Sequence, residues 1–368
     1  MKKNILIYNS SLLKGGTEAY FINVIKFLPR EEFNIEVIIK SGEKVDNDHL
    51  ETLQGLGVKV HLIKGGLLSQ MKAFKKFFKE NQKKFDVIHI NALSKGNGII
   101  SYFAKKYGKI PKVIFHSHMS GNDNDAKNKI VDFIGAKLLK KYSTDFVACS
   151  EDAYDYMFGK TFRDKCPSTV LNNSIDIDKF SFNQKVRDKM RDELKLDKDT
   201  FVLIHIGRFA YQKNHEFLIN FFSEFVKKET NTKLFLIGEG ELKEQMQNLV
   251  DDLKLNDKVV FVGTTSQVSD YLQAADCFVF PSNHEGLGIV AVEAQASNLP
   301  VVASTKVPGE AQMNDNFVRL DLESPYEEWI NAVLKFKGIK RKTCKEELSQ
   351  KGYTNDSAIK KIVDLYNK

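Results

Sequence analysis

Cysteine is scarce in this chain: four among 368 residues, at Cys149, Cys166, Cys277 and Cys344. No two form a C-x-x-C pair, and two lie in apolar, strand-like runs. A disulfide framework and a cysteine zinc site are therefore excluded as organising devices, and reduced core thiols in a cytosolic protein are expected. Long apolar runs are lacking too. No stretch approaches the roughly 18 to 20 apolar residues that a membrane span needs. Met1-Lys2-Lys3 mimics the basic start of a secretory leader, but the apolar run after it stops at Asn9-Ser10-Ser11, so a first buried strand is expected there. Internal repeats and low-complexity tracts are absent, which sets aside solenoids and disordered tails.

What is present is ordinary globular material, 42% hydrophobic and 28% charged, in a chain long enough for two sizeable cores. Short apolar segments alternate with amphipathic ones. Strands are expected at Asn4–Tyr8, Ile35–Ile39, Val58–Leu62, Val87–Ile90, Val113–His116 and Phe146–Ala148, with helical patterns such as Glu18–Leu28, Gln70–Glu80 and Asn97–Tyr107 between them. A polar stretch from about Ser181 to Thr200 interrupts this rhythm and reads as a linker. The alternation resumes with Phe201–Ile206, Thr232–Ile237, Lys258–Phe261, Cys277–Phe280 and Pro300–Ala303. This predicts two α/β halves, each a parallel sheet covered on both faces, and a closing helix near Ala358–Leu365.

The net charge of +7 is concentrated in the first half, above all between Met71 and Lys84. Lys72, Lys75, Lys76 and Lys79 alternate there with Phe74, Phe77 and Phe78 at helical spacing. Two readings stay open: a basic amphipathic helix lying on an anionic membrane surface, or a surface helix with its phenylalanines in the core. Nucleic acid is not an expected partner, because the basicity sits on one helix rather than along a groove.

Four segments carry chemistry. The run from Cys277 to Ala294 is a strand, a glycine-bearing turn and a helix start, with Glu285 and Glu293 eight positions apart. Such a unit aims free N–H groups and a helix dipole at a phosphate, and the two carboxylates can hold hydroxyls on either side of it. Gly15-Gly16 follows the first strand and opens a helix, which lets the backbone approach a phosphate. Arg208 and Lys213 follow a strand and Gly207, where they can neutralise a leaving diphosphate. His116-Ser117-His118 ends another strand, where open α/β sheets bind ligands. Gly238-Glu239-Gly240 lacks the third glycine of a dinucleotide fingerprint, since Lys243 stands in its place, and reads as a tight turn. The D-x-D pairs at Asp46–Asp48, Asp123–Asp125 and Asp176–Asp178 end no clear strand, and no essential metal or other cofactor is expected.

The run PSNHEGLGIVAVEAQASNLPVVAS resembles the signature of the retaining glycosyltransferases of family 4. The G-R-x-x-x-x-K, Gly-Gly and L-N-N-S-I-D segments are similar to theirs as well, and the combination looks most like the subset that builds bacterial capsular polysaccharide and exopolysaccharide. The resemblance implies a GT-B fold: two Rossmann-like domains facing each other across a cleft, with a C-terminal helix crossing back to the first. The expected division is an acceptor domain at 1–180, a nucleotide-sugar domain at 181–350 and a returning helix at 351–368. It further implies transfer of a sugar from a nucleotide-sugar, a UDP-sugar by preference, to a hydroxyl of a lipid-linked saccharide with retention. Arg208 and Lys213 would then stabilise the leaving diphosphate, Glu285 would orient the sugar and Glu293 would bind the ribose. Gly15, Gly16, Gly286, Leu287, Gly288 and Ile289 would complete the phosphate cradle, and Val262 and Gly263 would lie at the base. His118, or else His116, would contact the sugar. A 2-epimerase of related fold and a non-catalytic sugar-nucleotide-binding module remain open. The expected location is the cytoplasm, peripheral to the inner face of the plasma membrane.

Overall fold

A computed structural model describes residues 2–13, 16–40, 45–119, 129–166, 169–171, 173–342 and 344–368. It falls into two compact units, Met1–Ser174 with Tyr353–Lys368, and Ile175–Gly352. In the first unit the strands are β1 (Lys3–Asn9), β2 (Phe33–Lys40), β3 (Lys59–Ile63), β4 (Val87–Ala92), β5 (Lys112–Ser117), β6 (Asp145–Ala148) and β7 (Thr169–Val170). They form one parallel sheet in the order β3-β2-β1-β4-β5-β6-β7. The second unit holds β8 (Phe201–Ile206), β9 (Thr232–Ile237), β10 (Val259–Gly263), β11 (Cys277–Phe280), β12 (Val301–Ser304) and β13 (Phe317–Leu320). These run in the order β10-β9-β8-β11-β12-β13, again parallel.

Both sheets follow from unbroken apolar runs. Every residue of β4, β8 and β11 is buried, as expected for strands covered on both faces. In each sheet the strand order reverses beside the first strand of the unit, between β1 and β4 and between β8 and β11. Open α/β sheets bind ligands at the carboxyl ends of such strands.

The helix Asn355–Asn367 belongs to the first unit. Thr354 caps it, Ile362, Leu365 and Tyr366 enter the core beside β1 and β2, and the Lys3 ammonium donates to the Tyr366 carbonyl at 3.0 Å.

Two features depart from the sequence reading, and a third answers a question it left open. The stretch taken as a linker contains the helix Gln184–Glu193, capped by Asn183. Its polar sequence conceals what anchors it. Arg187 donates to the carbonyls of Gln273, Ala274 and Ala275 and pairs with Asp276, while the buried Arg191 reaches Ala274 and Thr200. The first unit accordingly ends at Ser174 rather than near residue 180, and the short helix Ile177–Phe180 packs on the helix Ile289–Ala296 inside the second unit. In the helix Leu67–Glu80, Phe74, Phe77 and Phe78 point into the core, leaving Lys72, Lys75, Lys76 and Lys79 outward. The phenylalanines therefore serve the core, and the lysines are left to solvent together with Leu67 and Leu68 at the start of the helix.

Asp276 takes bonds from Arg187 and from the Val202 amide, at 2.5 and 2.8 Å. Replacing it by alanine strands buried guanidinium charge, so Asp276→Ala is expected to destabilise the protein by about 3 kcal/mol. Urea unfolding followed by circular dichroism measures this, and a loss under about 1 kcal/mol would mean the network does not anchor the helix.

Candidate functional site: a glycine-bearing turn and a neutral polar cluster

In the second unit the site grows from the ends of β8 and β11. After β8, Gly207 leads to Arg208 and then to a short turn, Tyr211–Lys213. Asn214 adopts a left-handed conformation, φ 54°, and caps the helix His215–Lys228. After β11 the chain runs through Asn283, His284 and Glu285 to Gly288, also left-handed, before the helix Ile289–Ala296. The two loops are stitched together. The Asn283 amide donates to the Gln212 carbonyl at 2.8 Å, the Asn283 side chain to the Tyr211 carbonyl at 2.7 Å, and Gln212 to the His284 carbonyl at 3.1 Å.

At their junction the Lys213 ammonium meets Glu285 Oε1 at 2.6 Å, with both side chains largely buried. The same ammonium lies 4.8 Å from the centroid of the Phe280 ring. Gly207 is needed here, since a Cβ would fall 2.8 Å from the Lys213 stem. Beneath the pair, burial and the nearby lysine hold His205 at about 3, and burial with His205 and Lys213 holds His215 at about 2, so both rings are neutral.

Among the described residues no side chain caps the helix Ile289–Ala296, so its first N–H groups can meet an anion. Gly286, Leu287 and Gly288 are buried in the turn before it. A Cβ on Gly288 would sit 2.8 Å from the Phe280 ring. Glu293, five residues in, is half-buried, and desolvation lifts its carboxyl to about 7, with Lys179 pulling the other way.

Arg208 stands at the same strand end but is exposed, and it pairs with Glu241 at 2.9 Å rather than with Glu285. Such an exposed pair is worth about 1 kcal/mol or less, so the guanidinium is easily released to a phosphate. Gly263, at the end of β10, has φ 78°, and its carbonyl accepts from the Gly238 amide at 2.9 Å; Val262 precedes it. Gly238 and Gly240 pack directly on the Gly207 and Phe209 carbonyls, so this turn is set by close backbone approach.

In the first unit Gly15 lies outside the described residues, as do Asn172 and the pair Asp123–Asp125. Gly16 opens the helix Gly16–Phe27. Asp46 and Asp176 accept from the His49 and Lys179 amides as helix caps. Among the described residues no group of three or more His, Cys, Asp or Glu is arranged to hold a metal ion.

His116 and His118 end β5 beside two neighbours that the sequence did not single out. His118 Nε2 meets Asn91 Oδ1 at 3.1 Å, and His116 Nδ1 meets His89 Nε2 at 3.0 Å, while His89 Nδ1 contacts the Tyr366 hydroxyl at 2.8 Å. Burial holds His118 at about 3 and His89 at about 4, and His116 well below its ordinary value, so all three are neutral. With Asn91 accepting from Nε2–H, His118 Nδ1 is an acceptor, and it has no partner among the described residues. His116 is the more deeply buried of the pair. Glu18, also missed, is buried in the first helical turn and accepts the Ser11 hydroxyl; desolvation raises its carboxyl. The strand-end rule that picked out His118 could have picked out Asn91, at the end of β4.

Two Rossmann-like α/β units, the second with a phosphate-suited turn at its reversal point, define the GT-B class of fold. Residues 186–348 match the model of the glycosyl transferases group 1, and residues 14–179 that of glycosyltransferase family 4. With both halves accounted for, the chain belongs to this glycosyltransferase family. Among its curated relatives, the Escherichia coli UDP-Gal:alpha-D-GlcNAc-diphosphoundecaprenol alpha-1,3-galactosyltransferase is 24% identical over 96% of this chain and 94% of its own. The Staphylococcus aureus capsular polysaccharide biosynthesis glycosyltransferase CapH is 25% identical over 89% and 88%. Among solved structures, Anabaena HepE in complex with UDP and glucose superposes with a TM-score of 0.73 at 19% identity, covering 98% of this chain and 95% of that one. Sucrose-phosphate synthase from Thermosynechococcus elongatus reaches 0.77 at 16%, covering 100% and 98%. These two structures support the fold.

Glu293 sets a pH dependence of stability. Its folded carboxyl, at about 7, is raised above an ordinary 4.5. Between those values the folded state binds more protons than the unfolded one, so stability falls as pH rises through the window and stays reduced above it. Partial exposure trims the full cost to about 2 kcal/mol. Glu293→Gln is expected to gain about that much at pH 8 and nothing at pH 4. Urea titrations at both values measure it, and equal shifts would disprove the assignment.

Proposed function

We propose that the protein moves a hexose from a nucleotide-sugar, a UDP-sugar by preference, to a hydroxyl of a lipid-linked saccharide, with retention, during assembly of a cell-surface polysaccharide. The observation that carries this reading is the Lys213–Glu285 pair seated beside an uncapped helix N-terminus. It joins a fixed cation, a carboxylate for sugar hydroxyls and amide donors for phosphate on one rigid frame. As the glycosidic bond breaks, negative charge builds on the departing diphosphate. Lys213 and the amides of Leu287, Gly288 and Ile289 stabilise that charge in place, and Arg208 joins them by leaving Glu241. These cations supply the counter-charge, and no metal is assigned. Glu293 takes the ribose hydroxyls, Val262 and Gly263 border the base, the Gly15-Gly16 loop adds donors to the phosphate cradle, and His118 accepts from a sugar hydroxyl.

The names of two relatives support a lipid-linked acceptor, one acting on a diphosphoundecaprenol-linked sugar and another serving capsular polysaccharide. A lipid-linked acceptor places the protein at the inner face of the plasma membrane as a peripheral, cytoplasmic enzyme. No described helix is long and apolar enough to cross a membrane.

Arg208 gives the cleanest test, because an exposed side chain can be removed with little cost to the fold. Arg208→Gln is expected to lower kcat at least 100-fold, about 3 kcal/mol of barrier, while the urea midpoint stays put. Near-normal transfer from UDP-hexoses to a lipid-diphosphate-linked monosaccharide would defeat the scheme. With donor alone, an isomerised sugar would show the 2-epimerase instead, and donor binding without UDP release in the full mixture would show a non-catalytic module. The anomeric configuration of the product, read by NMR, tests retention. Hydroxyls donating to Glu293 also draw its carboxyl down from about 7. Donor binding near neutral pH should therefore release part of a proton, seen by calorimetry in buffers of different ionisation enthalpy, and Glu293→Gln should abolish that release.

A further inference from the structure

The helix Lys129–Tyr142 of the first unit is built inside out. Its buried face carries small groups: Gly135 lies so close to the segment Lys95–Gly98 that a Cβ would fall 2.1 Å from the Lys95 carbonyl oxygen, and one on Gly98 would fall 2.1 Å from that of Gly135. Leu139 is buried beside it, Asp132 turns inward to accept from the Gly96 amide at 2.9 Å, and Ser101 meets Ser143 at 2.9 Å. Backbone seated on backbone fixes the roll of this helix, and the large apolar side chains face water. Ile130 is 72% exposed, Phe133 62%, Ile134 52% and Val131 44%. Among the described residues no other element exposes more than two such side chains.

Charge frames this patch. Lys129, Lys137, Lys140 and Lys141 are exposed, and none of the four is ion-paired among the described residues. Residues 130, 134, 137 and 141 follow one line along the helix, apolar at its start and basic at its end. Lys137 lies over the Phe133 ring at 4.2 Å from the centroid. Burial lowers the Lys140 ammonium, and the neighbouring Lys95 and Lys165 lower it further. The lysine-bearing helix Leu67–Glu80 belongs to the same group of packed helices, joined through the segment 98–108, and Lys75 and Lys79 lie over Tyr107 there.

We propose that the helix Lys129–Tyr142 docks this unit on an anionic lipid bilayer, inserting Ile130, Phe133 and Ile134 between headgroups while Lys137, Lys140 and Lys141 meet lipid phosphates. Large apolar side chains bordered by lysine, with the helix's own carboxylate, Asp132, turned inward, complement a surface that is apolar inside and negative at its rim. A second copy of the same face fits less well, because its lysines repel and three or four side chains fall short of the roughly 800 Å² per partner of a standard interface. The neighbouring helix adds the attraction of Lys72, Lys75, Lys76 and Lys79, and it exposes Leu67 and Leu68 at its start. This surface goes beyond the sugar-transfer reading, since vesicle binding needs neither donor nor acceptor.

The full chain is tested on vesicles of phosphatidylcholine alone and of phosphatidylcholine with phosphatidylglycerol. Sedimentation with the anionic vesicles only, weakened by high salt, is expected. Phe133→Trp should add an emission that shifts to the blue on anionic vesicles, while the buried Trp329 gives a constant background. The triple variant Ile130→Ser/Phe133→Ser/Ile134→Ser should bind at least tenfold more weakly with an unchanged thermal midpoint, and Lys137→Gln/Lys141→Gln should lose the preference for anionic lipid. Unchanged vesicle binding by the triple variant, or no blue shift at position 133, overturns the proposal. So does a wild-type dimer that the triple variant turns into a monomer, because the face would then be an interface between copies.

Discussion

The second unit is arranged around one buried ion pair, Lys213 with Glu285. Removing two charges from water is costly, and their attraction offsets that cost only when the geometry is held. The surrounding residues provide the hold. Gly207 leaves room for the lysine stem, Phe280 supports the ammonium, and Asn214 in its left-handed turn ends the loop at the right place. The bonds linking Tyr211 and Gln212 to Asn283 and His284 keep the two loops from separating. Neither loop could position its charge alone, and β8 and β11 are neighbours in the sheet so that both loops start from one place.

The two units differ in what they offer at their strand ends. The second presents charge: Lys213, Arg208 and the positive end of a helix. In the first, the strand ends of β4 and β5 present neutral polar groups, since burial keeps His89, His116 and His118 uncharged and Asn91 supplies an amide. Fixed charge suits a diphosphate, whereas neutral donors and acceptors suit hydroxyls, which gain little from a full charge and would pay its desolvation. The C-terminal helix takes part in this neutral cluster through the Tyr366 hydroxyl on His89. The last turn of the chain thereby reaches the polar interior of the first unit.

The sequence revealed strands and loops well where local pattern decides them. Uninterrupted apolar runs marked β1, β4, β8 and β11, and the glycines of residues 285 to 288 marked the turn. It misled where tertiary partners decide. The helix Gln184–Glu193 looks like solvated linker because its anchors are arginines, and their carbonyl and Asp276 partners lie some 80 to 90 residues away. The short strands β7 and β13 went unlisted, being two and four residues long at sheet edges. The partner of Arg208 was equally invisible, since nothing in G-R-x-x-x-x-K announces Glu241.

The helices Leu67–Glu80 and Lys129–Tyr142 show why periodicity alone could not tell which face is buried. In the first, three phenylalanines go inward, as the usual rule that the larger apolar stripe faces the core requires. In the second, the close approach of Gly135 to Lys95 and Gly98 lets backbones touch, and a helix seated on glycine has no space beneath it for isoleucine or phenylalanine. Its large apolar residues must then point out. A glycine that forbids a Cβ decides the orientation of a helix more firmly than the number of apolar residues on either side of it.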